Sequence, residues 1–346
     1  MGTAVSVGRR LRAARSPLRA AHHLQRAFVR TALTLFALLA AWPAGAADRY
    51  ALIVAGATGG PPYAEQYTAW TQALHDTLVE GMAFDPSKII LLTETSDPAG
   101  SSTAENVRRA VATLGRRLQP GDLLFTVLIG HGTFDGIDAK FNLVGPDLSA
   151  ADWALSLRPI RARLVFVNTT SASFPFLESL AGGNRIVVSA TESTAQRFDT
   201  IFPEHFIAAL ADPASDIDKN GRISIWEAFS AASAGVRRSY QQRGELATER
   251  GLLDDTGDGI GREAAGQGPD GALASRTYLA PPVPDAPPTD DLLVDLLQRR
   301  ASLLAEAEEL QLRKALMPAG EYAREFERIM IALAHATRGI RERRGT

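Results

Sequence analysis

Short apolar runs alternate with helical patterns along the first two thirds of the chain. Residues 64–80 and 103–118 have the apolar spacing of amphipathic helices, and Thr103 is a candidate N-cap for the second of them. Apolar strands separated by such helices are typical of βαβ units, in which helices cover both faces of a parallel sheet. The pattern therefore predicts an α/β domain with a mostly parallel central sheet. The five expected strands are Tyr50 to Ala55, Lys88 to Leu92, Leu123 to Ile129, Leu164 to Val167 and Ile186 to Val188.

A proline-rich stretch separates this pattern from the end of the chain. Residues 281–288 contain five prolines, and such a composition predicts a stiff, extended linker. We therefore expect a main domain over residues 48–280 and a separate tail over residues 289–346.

The tail has the spacing of two helices joined by a break. Helical spacing runs over residues 290–316 and, after Pro318 and Gly320, over residues 321–341. This predicts a helical hairpin, which is either a packing appendage of the main domain or a coiled-coil contact with a partner protein or a second copy. The repeat is too short to choose between these alternatives. The apolar positions are Leu296, Leu303, Leu310, Tyr322, Phe326, Ile329, Met330, Leu333 and Ile340.

Composition excludes several classes of protein. The 346-residue chain contains no cysteine, so it has no disulfide, no thiolate nucleophile and no thiolate metal ligand. The formal charge is −2, but residues 1–47 carry seven arginines and no acidic residue, which leaves 30 basic and 39 acidic residues for the remainder. Such a chain lacks the basic surface that nucleic-acid binding requires, and it suits a protein with cation sites.

The first 47 residues have the order of a secretory signal. A basic stretch from Arg9 to Arg30 precedes an apolar run from Ala32 to Ala41 and a small-residue segment ending at Ala47. An apolar run of about ten residues is half as long as a membrane span requires. We therefore expect residues 1–47 to be a signal peptide, the mature protein to be periplasmic or secreted, and the mature chain to lack a transmembrane segment. An uncleaved N-terminal anchor is the alternative.

A loop over residues 216–227 has the ligand spacing of an EF-hand-type calcium site. Calcium prefers about six to eight oxygen ligands in a flexible arrangement. Gly221 permits the sharp turn at position six, and Glu227 at position twelve can supply both carboxylate oxygens. We predict that this loop binds Ca²⁺ and, as a single copy in an α/β domain, serves structure rather than sensing. The expected ligands are Asp216, Asp218, Asn220, Arg222 through its carbonyl, Ser224 through water, and Glu227.

A second acidic and glycine-rich stretch covers residues 254–261. It begins like a calcium loop but has Ala265 where the twelfth position requires a carboxylate. It is therefore either a second cation site or an ordered turn.

The third apolar run ends in Gly130-His131-Gly132, which places a candidate catalytic histidine at the end of a strand. Open α/β sheets bind ligands at the carboxyl ends of their strands, and Thr170 and Ser171 follow the fourth run at the same edge. A histidine beside a hydroxyl is the minimal pairing of general base and nucleophile. The alternative is that His131 makes a structural hydrogen bond and the hydroxyls cap the next turn.

Activation of a serine or threonine hydroxyl usually requires a carboxylate that orients the histidine. Asp135 and Asp138 are close to His131 in the sequence. Asp199 and Arg197 follow the fifth run and either line a pocket or lie at the surface.

Taken in order, these motifs resemble the caspase-like and legumain-like peptidases, and more closely an exported bacterial group of caspase-like proteins. The resemblance covers roughly residues 48–280 and implies a three-layer α/β/α sandwich with a mostly parallel sheet, followed here by the helical hairpin. The segments that carry it are Gly130 to Gly136, Asn142 to Asp147, Ser171 to Ser173, Ser189 to Ser193, the calcium loop, and Ala247 to Glu249 before Leu253 to Asp255.

The resemblance also assigns roles to residues at the end of the sheet. In peptidases of this fold a histidine acts on the proton of a cysteine; His131 matches the histidine, and Thr170 or Ser171 stands at the cysteine position. Because the chain has no cysteine, we expect an exported calcium-binding pseudo-peptidase that acts as an envelope interaction module, with a partner bound through the C-terminal helices. The alternative is a peptidase or hydrolase that uses a Ser or Thr nucleophile and His131 as general base.

Overall fold

The computed structural model describes residues 47–196, 198–282, 291–313 and 317–344. The expected signal peptide, except Ala47, and most of the proline-rich linker lie outside the described residues. The chain divides into two units, Met1–Pro281 and Pro282–Thr346, which we call the main unit and the C-terminal unit.

Nine strands form two sheets in the main unit. The strands are β1 (Arg49–Ala55), β2 (Ile89–Leu92), β3 (Leu123–Ile129), β4 (Gly132–Phe134), β5 (Ala139–Phe141), β6 (Leu148–Ser149), β7 (Arg163–Asn168), β8 (Arg185–Ser189) and β9 (Leu252–Asp254) among the described residues. The central sheet has the order β2-β1-β3-β7-β8-β9, in which only β9 is antiparallel to its neighbour. Each of the five apolar runs forms a strand of this sheet. The mostly parallel sheet predicted from the sequence is therefore confirmed.

The helices of the main unit begin at residues suited to that position. A proline pair starts the first helix, and the Thr103 hydroxyl accepts a hydrogen bond from the Asn106 amide at the start of the second, as the sequence predicts. The helix expected over residues 64–80 begins earlier, and after Asp76 it continues as a π-helical turn, Thr77–Gly81. The α-helices in the described part of the main unit are α1 (Pro61–Asp76), α2 (Ala104–Arg117), α3 (Ala150–Leu157), α4 (Phe174–Leu180), α5 (Phe202–Ala211) and α6 (Ile225–Arg243).

Helices cover both faces of the central sheet. Successive residues of a strand point to opposite faces, so Ile53 of β1 packs in a core with α1, α5 and α6, whereas Leu52 packs in a core with α2, α3 and α4. Both side chains are fully buried, and burial of such a side chain contributes about 1.5–3 kcal/mol. The main unit is therefore a three-layer α/β/α sandwich.

A small antiparallel sheet of β4, β5 and β6 follows His131 directly. Its strands are two or three residues long, too short to give an alternating pattern in the sequence. The sheet takes the chain away from the end of β3 and leaves His131 at the edge of the central sheet.

The C-terminal unit contains two antiparallel helices, α7 (Asp291–Arg313) and α8 (Ala319–Arg344). Leu303 and Leu310 of α7 share a buried core with Ile329 of α8. The expected hairpin is present, although α8 begins before Gly320, which was expected in the break between the helices. Met330 is 45% exposed and therefore does not belong to the buried stripe. None of the helices in the described ranges combines the length and the hydropathy of a transmembrane span.

Candidate functional site

The carboxyl ends of β3 and β7 lie side by side at one edge of the central sheet. The two strands pair in parallel, with Leu128 opposite Asn168. His131 follows β3, and Thr170 and Ser171 follow β7. The topology thus brings the candidate catalytic residues to the same edge.

The His131 ring lies between two hydrogen-bond acceptors. Nδ1 is 2.8 Å from Asp199 Oδ1, and Nε2 is 3.1 Å from the backbone carbonyl oxygen of Thr58. A carboxylate and a carbonyl both accept, so both contacts are hydrogen bonds only when both ring nitrogens carry a proton. In this geometry Nε2 faces a carbonyl oxygen rather than a hydroxyl whose proton it could take. This geometry favours His131 as a donor rather than as a general base.

Two tyrosines of α1 enclose the same ring. Tyr63 and Tyr67 contact His131 edge-on, with 4.6 and 5.6 Å between ring centroids. The Tyr63 hydroxyl donates a hydrogen bond to Asp199 Oδ2, and this bond raises the pKa of Tyr63. Burial, followed by the charge of Asp199, raises the pKa of Tyr67. Asp199 therefore pairs with the His131 ring through Oδ1 and with the Tyr63 hydroxyl through Oδ2. Arg197, the other residue predicted after the fifth strand, lies outside the described residues.

Within the described residues, neither candidate hydroxyl hydrogen-bonds to the His131 ring. Ser171 Oγ donates to the carbonyl oxygen of Gly132 at 3.0 Å. Thr170 is fully buried, and its hydroxyl has no partner among the described residues. It packs beneath Gly132, where an added Cβ would overlap Thr170 Oγ1. The structure brings the three residues to one edge without forming a nucleophile–base pair.

Other hydroxyls at this edge satisfy one another. Thr191 Oγ1 donates to the Ser171 carbonyl oxygen at 2.9 Å and lies 3.1 Å from Ser173 Oγ. Ser173 Oγ accepts from the Thr191 amide, and Ser189 Oγ donates to the Thr191 carbonyl. These bonds tie the segment after β7 to the segment after β8.

The carboxylate that orients His131 is Asp199, rather than Asp135 or Asp138. Asp135 pairs with Lys140 and accepts two backbone amides, and these bonds hold the pKa of Asp135 well below its usual range. Asp199 is 68 residues from His131 in the sequence. Its position after the fifth strand was the only signal in the sequence that placed it at this edge.

The loop over residues 216–227, which we call the acidic loop, gathers three carboxylates. One oxygen each of Asp216, Asp218 and Glu227 lie within 4.8 Å of one another, and no other three carboxylate or histidine residues that the structure describes form such a group. The chain reverses through positive φ angles of 56° at Lys219 and 84° at Gly221. Like charges at this spacing repel one another, so their convergence favours a cation between them.

Backbone amides of the acidic loop orient its first two carboxylates. Asp216 accepts from the amides of Asn220 and Gly221 at 3.1 and 2.9 Å. Asp218 accepts from the Asn220 amide at 3.0 Å and from the Asn220 side chain at 2.8 Å. Each of these four oxygens accepts one bond and has two lone pairs. Each therefore retains a lone pair for a cation.

Glu227 ends the acidic loop and begins α6. Oε2 accepts from the Ser224 amide and the Ser224 hydroxyl, both at 2.8 Å, and the Ser224 hydroxyl accepts from the Glu227 amide, which forms a capping box. Oε1 accepts from the amides of Ile217 and Asp218 at 2.9 and 3.2 Å. A cation that uses both oxygens of Glu227 must displace some of these bonds.

The remaining predicted ligands contact Tyr278, which the sequence analysis did not identify. The side-chain amide of Asn220 donates to the Tyr278 hydroxyl at 3.0 Å, and its carbonyl oxygen accepts from the Arg222 amide. The Arg222 guanidinium lies 3.9 Å from the centroid of the Tyr278 ring. The hydroxyl of Ser224 is used by the capping box. A single segment around Tyr278 thus braces the loop.

The second acidic stretch, residues 254–261, forms an ordered turn. Asp254 is 1% exposed and accepts three backbone amides of the stretch itself. Asp255 accepts the amides of Gly271 and Ala274 at 2.9 and 2.7 Å. These carboxylates are buried and bonded to backbone, and they do not converge as those of the acidic loop do.

Comparisons with known proteins give a distant structural neighbour. No protein-family model matches the chain, and no curated protein matches it. Among the similar solved structures is the crystal structure of protein GSU0716 from Geobacter sulfurreducens, with a TM-score of 0.41 and 15% sequence identity, covering 60% of this chain and 92% of that chain. A likeness at that level identifies neither a family nor a function.

Proposed function

We propose that this protein is an exported calcium-binding protein with a caspase-like fold, without peptidase activity, which acts as an interaction module in the envelope. The observation that carries the proposal is the convergence of Asp216, Asp218 and Glu227 within 4.8 Å. The motifs of the sequence support the caspase-like part, and the arrangement around His131 supports the lack of catalysis.

The donor set of the acidic loop fits calcium. All of its ligand atoms are oxygens, whereas zinc and copper favour imidazole and thiolate ligands. Magnesium requires a strict octahedral shell and keeps several waters, so a loop rich in carboxylates suits calcium better. Asp216, Asp218, Asn220 and Glu227 would hold the ion, with the Arg222 carbonyl and Ser224 completing the set.

Isothermal titration with calcium chloride tests this site. We expect one site in the wild type and at least a tenfold loss of affinity in Glu227→Gln, because the variant lacks one carboxylate charge. Glutamine retains the capping box, so the start of α6 should persist. Glu204→Gln, an exposed residue in the first turn of α5, makes the same charge change away from the loop and should leave affinity unchanged. Equal binding by wild type and Glu227→Gln would contradict the proposal.

The alternative, a hydrolase with a serine or threonine nucleophile, is favoured by one observation. Asp199 lies 2.8 Å from His131 Nδ1, as an orienting carboxylate does in a catalytic triad. Against it, Ser171 donates to a backbone carbonyl and Thr170 is fully buried.

A serine-reactive fluorophosphonate probe separates the two proposals. We expect no labelling of the purified wild-type protein, with or without calcium. Labelling that disappears in Ser171→Ala and persists in Ser193→Ala, a hydroxyl after β8 that serves as control, would establish the hydrolase and overturn the pseudo-peptidase.

The envelope-partner part of the proposal rests on the C-terminal unit. Leu304, Met330 and Ile331 are each about half exposed, at 50%, 45% and 52%. A photo-crosslinking residue at Ile331 is expected to capture one discrete envelope protein in cells, and the same residue at the exposed Arg324 is expected to capture none. Equal capture at both positions would contradict a specific contact.

A further inference from the structure

A cleft lined by arginines lies at the end of the sheet opposite His131. β7 begins at Arg163 and β8 at Arg185, so the amino ends of these strands mark that edge. Beside it, a cleft of about 800 Å³ opens between α3, α4 and the segment that leads into β8. Arg158, Arg161 and Arg185 line it, and we call it the arginine cleft.

The described residues that line the arginine cleft include no acidic side chain and no histidine. In the part of the chain that the structure describes, neither its three arginines nor Arg163 forms an ion pair with a carboxylate. The chain after residue 47 has more acidic than basic residues. A region of one sign, free of acids, is therefore a local feature and does not follow from composition.

Arg185 is fixed in place although its charge is not balanced. Its Nη1 donates to the Leu180 carbonyl at 3.0 Å and its Nη2 to the Leu157 carbonyl at 3.2 Å. These carbonyls end α4 and α3, and burial lowers the pKa of Arg185. The carbonyls that end a helix carry partial negative charge and stabilise this cation in part, but they do not supply the full counter-charge of a carboxylate.

Arg163 adds a second partly buried cation behind the cleft. Its Nε donates to Oδ1 of Asn184, which lines the cleft, at 3.1 Å. Burial, and next the charge of Arg276, lower the pKa of Arg163. Arg163 and Arg276 therefore repel one another at this edge, and an anion bound nearby would relieve that repulsion.

We propose that the arginine cleft binds a small anion carrying phosphate groups, either free in solution or as the head group of an anionic lipid. Planar guanidinium groups bind phosphate with two parallel hydrogen bonds. Three arginines match the multiple charge of such a ligand, and the volume of the cleft is that of a small-molecule pocket, about 300–1,000 Å³. Backbone at Gly183 is open, since an added Cβ there would meet nothing within 4 Å.

Titration calorimetry with sodium pyrophosphate tests this site directly. The protein is held in calcium-free buffer at about 50 mM salt, because higher salt screens exposed charges. We expect one site in the wild type and at least a tenfold loss of affinity in the double variant Arg158→Gln/Arg161→Gln. The control Arg116→Gln/Arg117→Gln makes the same charge change at exposed positions of the last turn of α2 and should bind within about twofold of the wild type.

Vesicles with and without phosphatidylglycerol identify the source of the phosphate. Sedimentation with the anionic vesicles that is lost in Arg158→Gln/Arg161→Gln assigns a lipid head group, whereas pyrophosphate binding without vesicle binding assigns a free ligand. Absence of wild-type binding to both probes would overturn the proposal. Equal weakening by the two double variants would also overturn it, since it would show only an effect of net charge. Neither outcome depends on the calcium site.

Discussion

Gly132 is the residue at which the packing beneath His131 can be tested most sharply. Replacement by alanine would bring the new Cβ into steric overlap with Thr170 Oγ1 and to 3.0 Å from the Ala172 amide nitrogen. Thr170 is fully buried and Ala172 is 2% exposed, so neither can yield without a shift of the chain after β7. Gly132→Ala should therefore strain the edge of the sheet that carries the candidate catalytic residues.

The expected loss of stability follows from the size of the overlap. Overpacking of a buried position typically costs about 1–3 kcal/mol. In a unit of more than 200 residues, each kcal/mol lowers Tm by roughly 2–4 °C. Thr170→Ala alone should cost about 1 kcal/mol, because it removes one buried methyl group and a hydroxyl that has no hydrogen-bond partner among the described residues. Combined with Gly132→Ala it should restore more than half of the loss, which is the coupling expected of two groups in contact.

Thermal and urea unfolding followed by circular dichroism measure this cycle. Gly121→Ala is the control, because an added Cβ at Gly121 meets nothing within 4 Å. Wild-type stability in Gly132→Ala would refute the reasoning. The reasoning would also be refuted if the double variant Gly132→Ala/Thr170→Ala recovered none of the stability lost in Gly132→Ala.

Three other predictions concern separate parts of the molecule. Glu249 is 4% exposed, accepts hydrogen bonds from two backbone amides at the start of α5, and has a pKa raised by burial. Because the folded state binds the proton of Glu249 more tightly than the unfolded state does, the free energy of unfolding should fall as the pH rises from the ordinary carboxyl pKa to the raised pKa of the folded state. Glu249→Gln should lack that slope in denaturation across about pH 4–8, and equal slopes would count against the assignment. In the C-terminal unit, Ile329→Ala should lower the free energy of unfolding by about 2–4 kcal/mol and Met330→Ala by less than about 0.5 kcal/mol, because the two side chains are 1% and 45% exposed. Thermal unfolding followed by helical ellipticity measures both losses, and equal losses would contradict the assignment of Ile329 to the buried stripe. Calcium at about 100 times the wild-type Kd should stabilise the wild type by about 2.7 kcal/mol in scanning calorimetry and Glu227→Gln, with at least tenfold weaker binding, by no more than about 1.4 kcal/mol. An equal shift in the variant would point to a different site.

The sequence predicts the central sheet well because buried parallel strands are uninterrupted apolar runs. The run from Leu123 to Ile129 matches β3 residue for residue, and the other four expected strands differ by one or two residues at their ends. The antiparallel strand β9 is only three residues long, and such a strand is recognised only through its pairing with β8. The same limit explains why the small sheet after His131 was not foreseen.

The candidate site was predictable in position but not in geometry. Strand order alone places His131, Thr170 and Ser171 at one edge. Which acceptor each ring nitrogen meets depends on Thr58 and Asp199, which reach the ring across 73 and 68 residues of sequence, and no local pattern encodes such contacts. The acidic loop is the opposite case, since Asp216, Asp218 and Glu227 lie within one stretch of twelve residues and their spacing alone predicts that they converge.

Glu227 has two separate roles, one in starting a helix and one in the proposed calcium site, and natural variation at this position can distinguish them. Its carboxylate starts α6 through the bonds with Ser224, and it also faces Asp216 and Asp218. Glutamine can replace glutamate in the capping box, but it offers a cation one neutral carbonyl oxygen instead of a charged carboxylate. Under the proposed calcium binding, homologues that do not use the ion should therefore tend to have glutamine at this position and keep serine three residues earlier, whereas homologues that use it should keep glutamate.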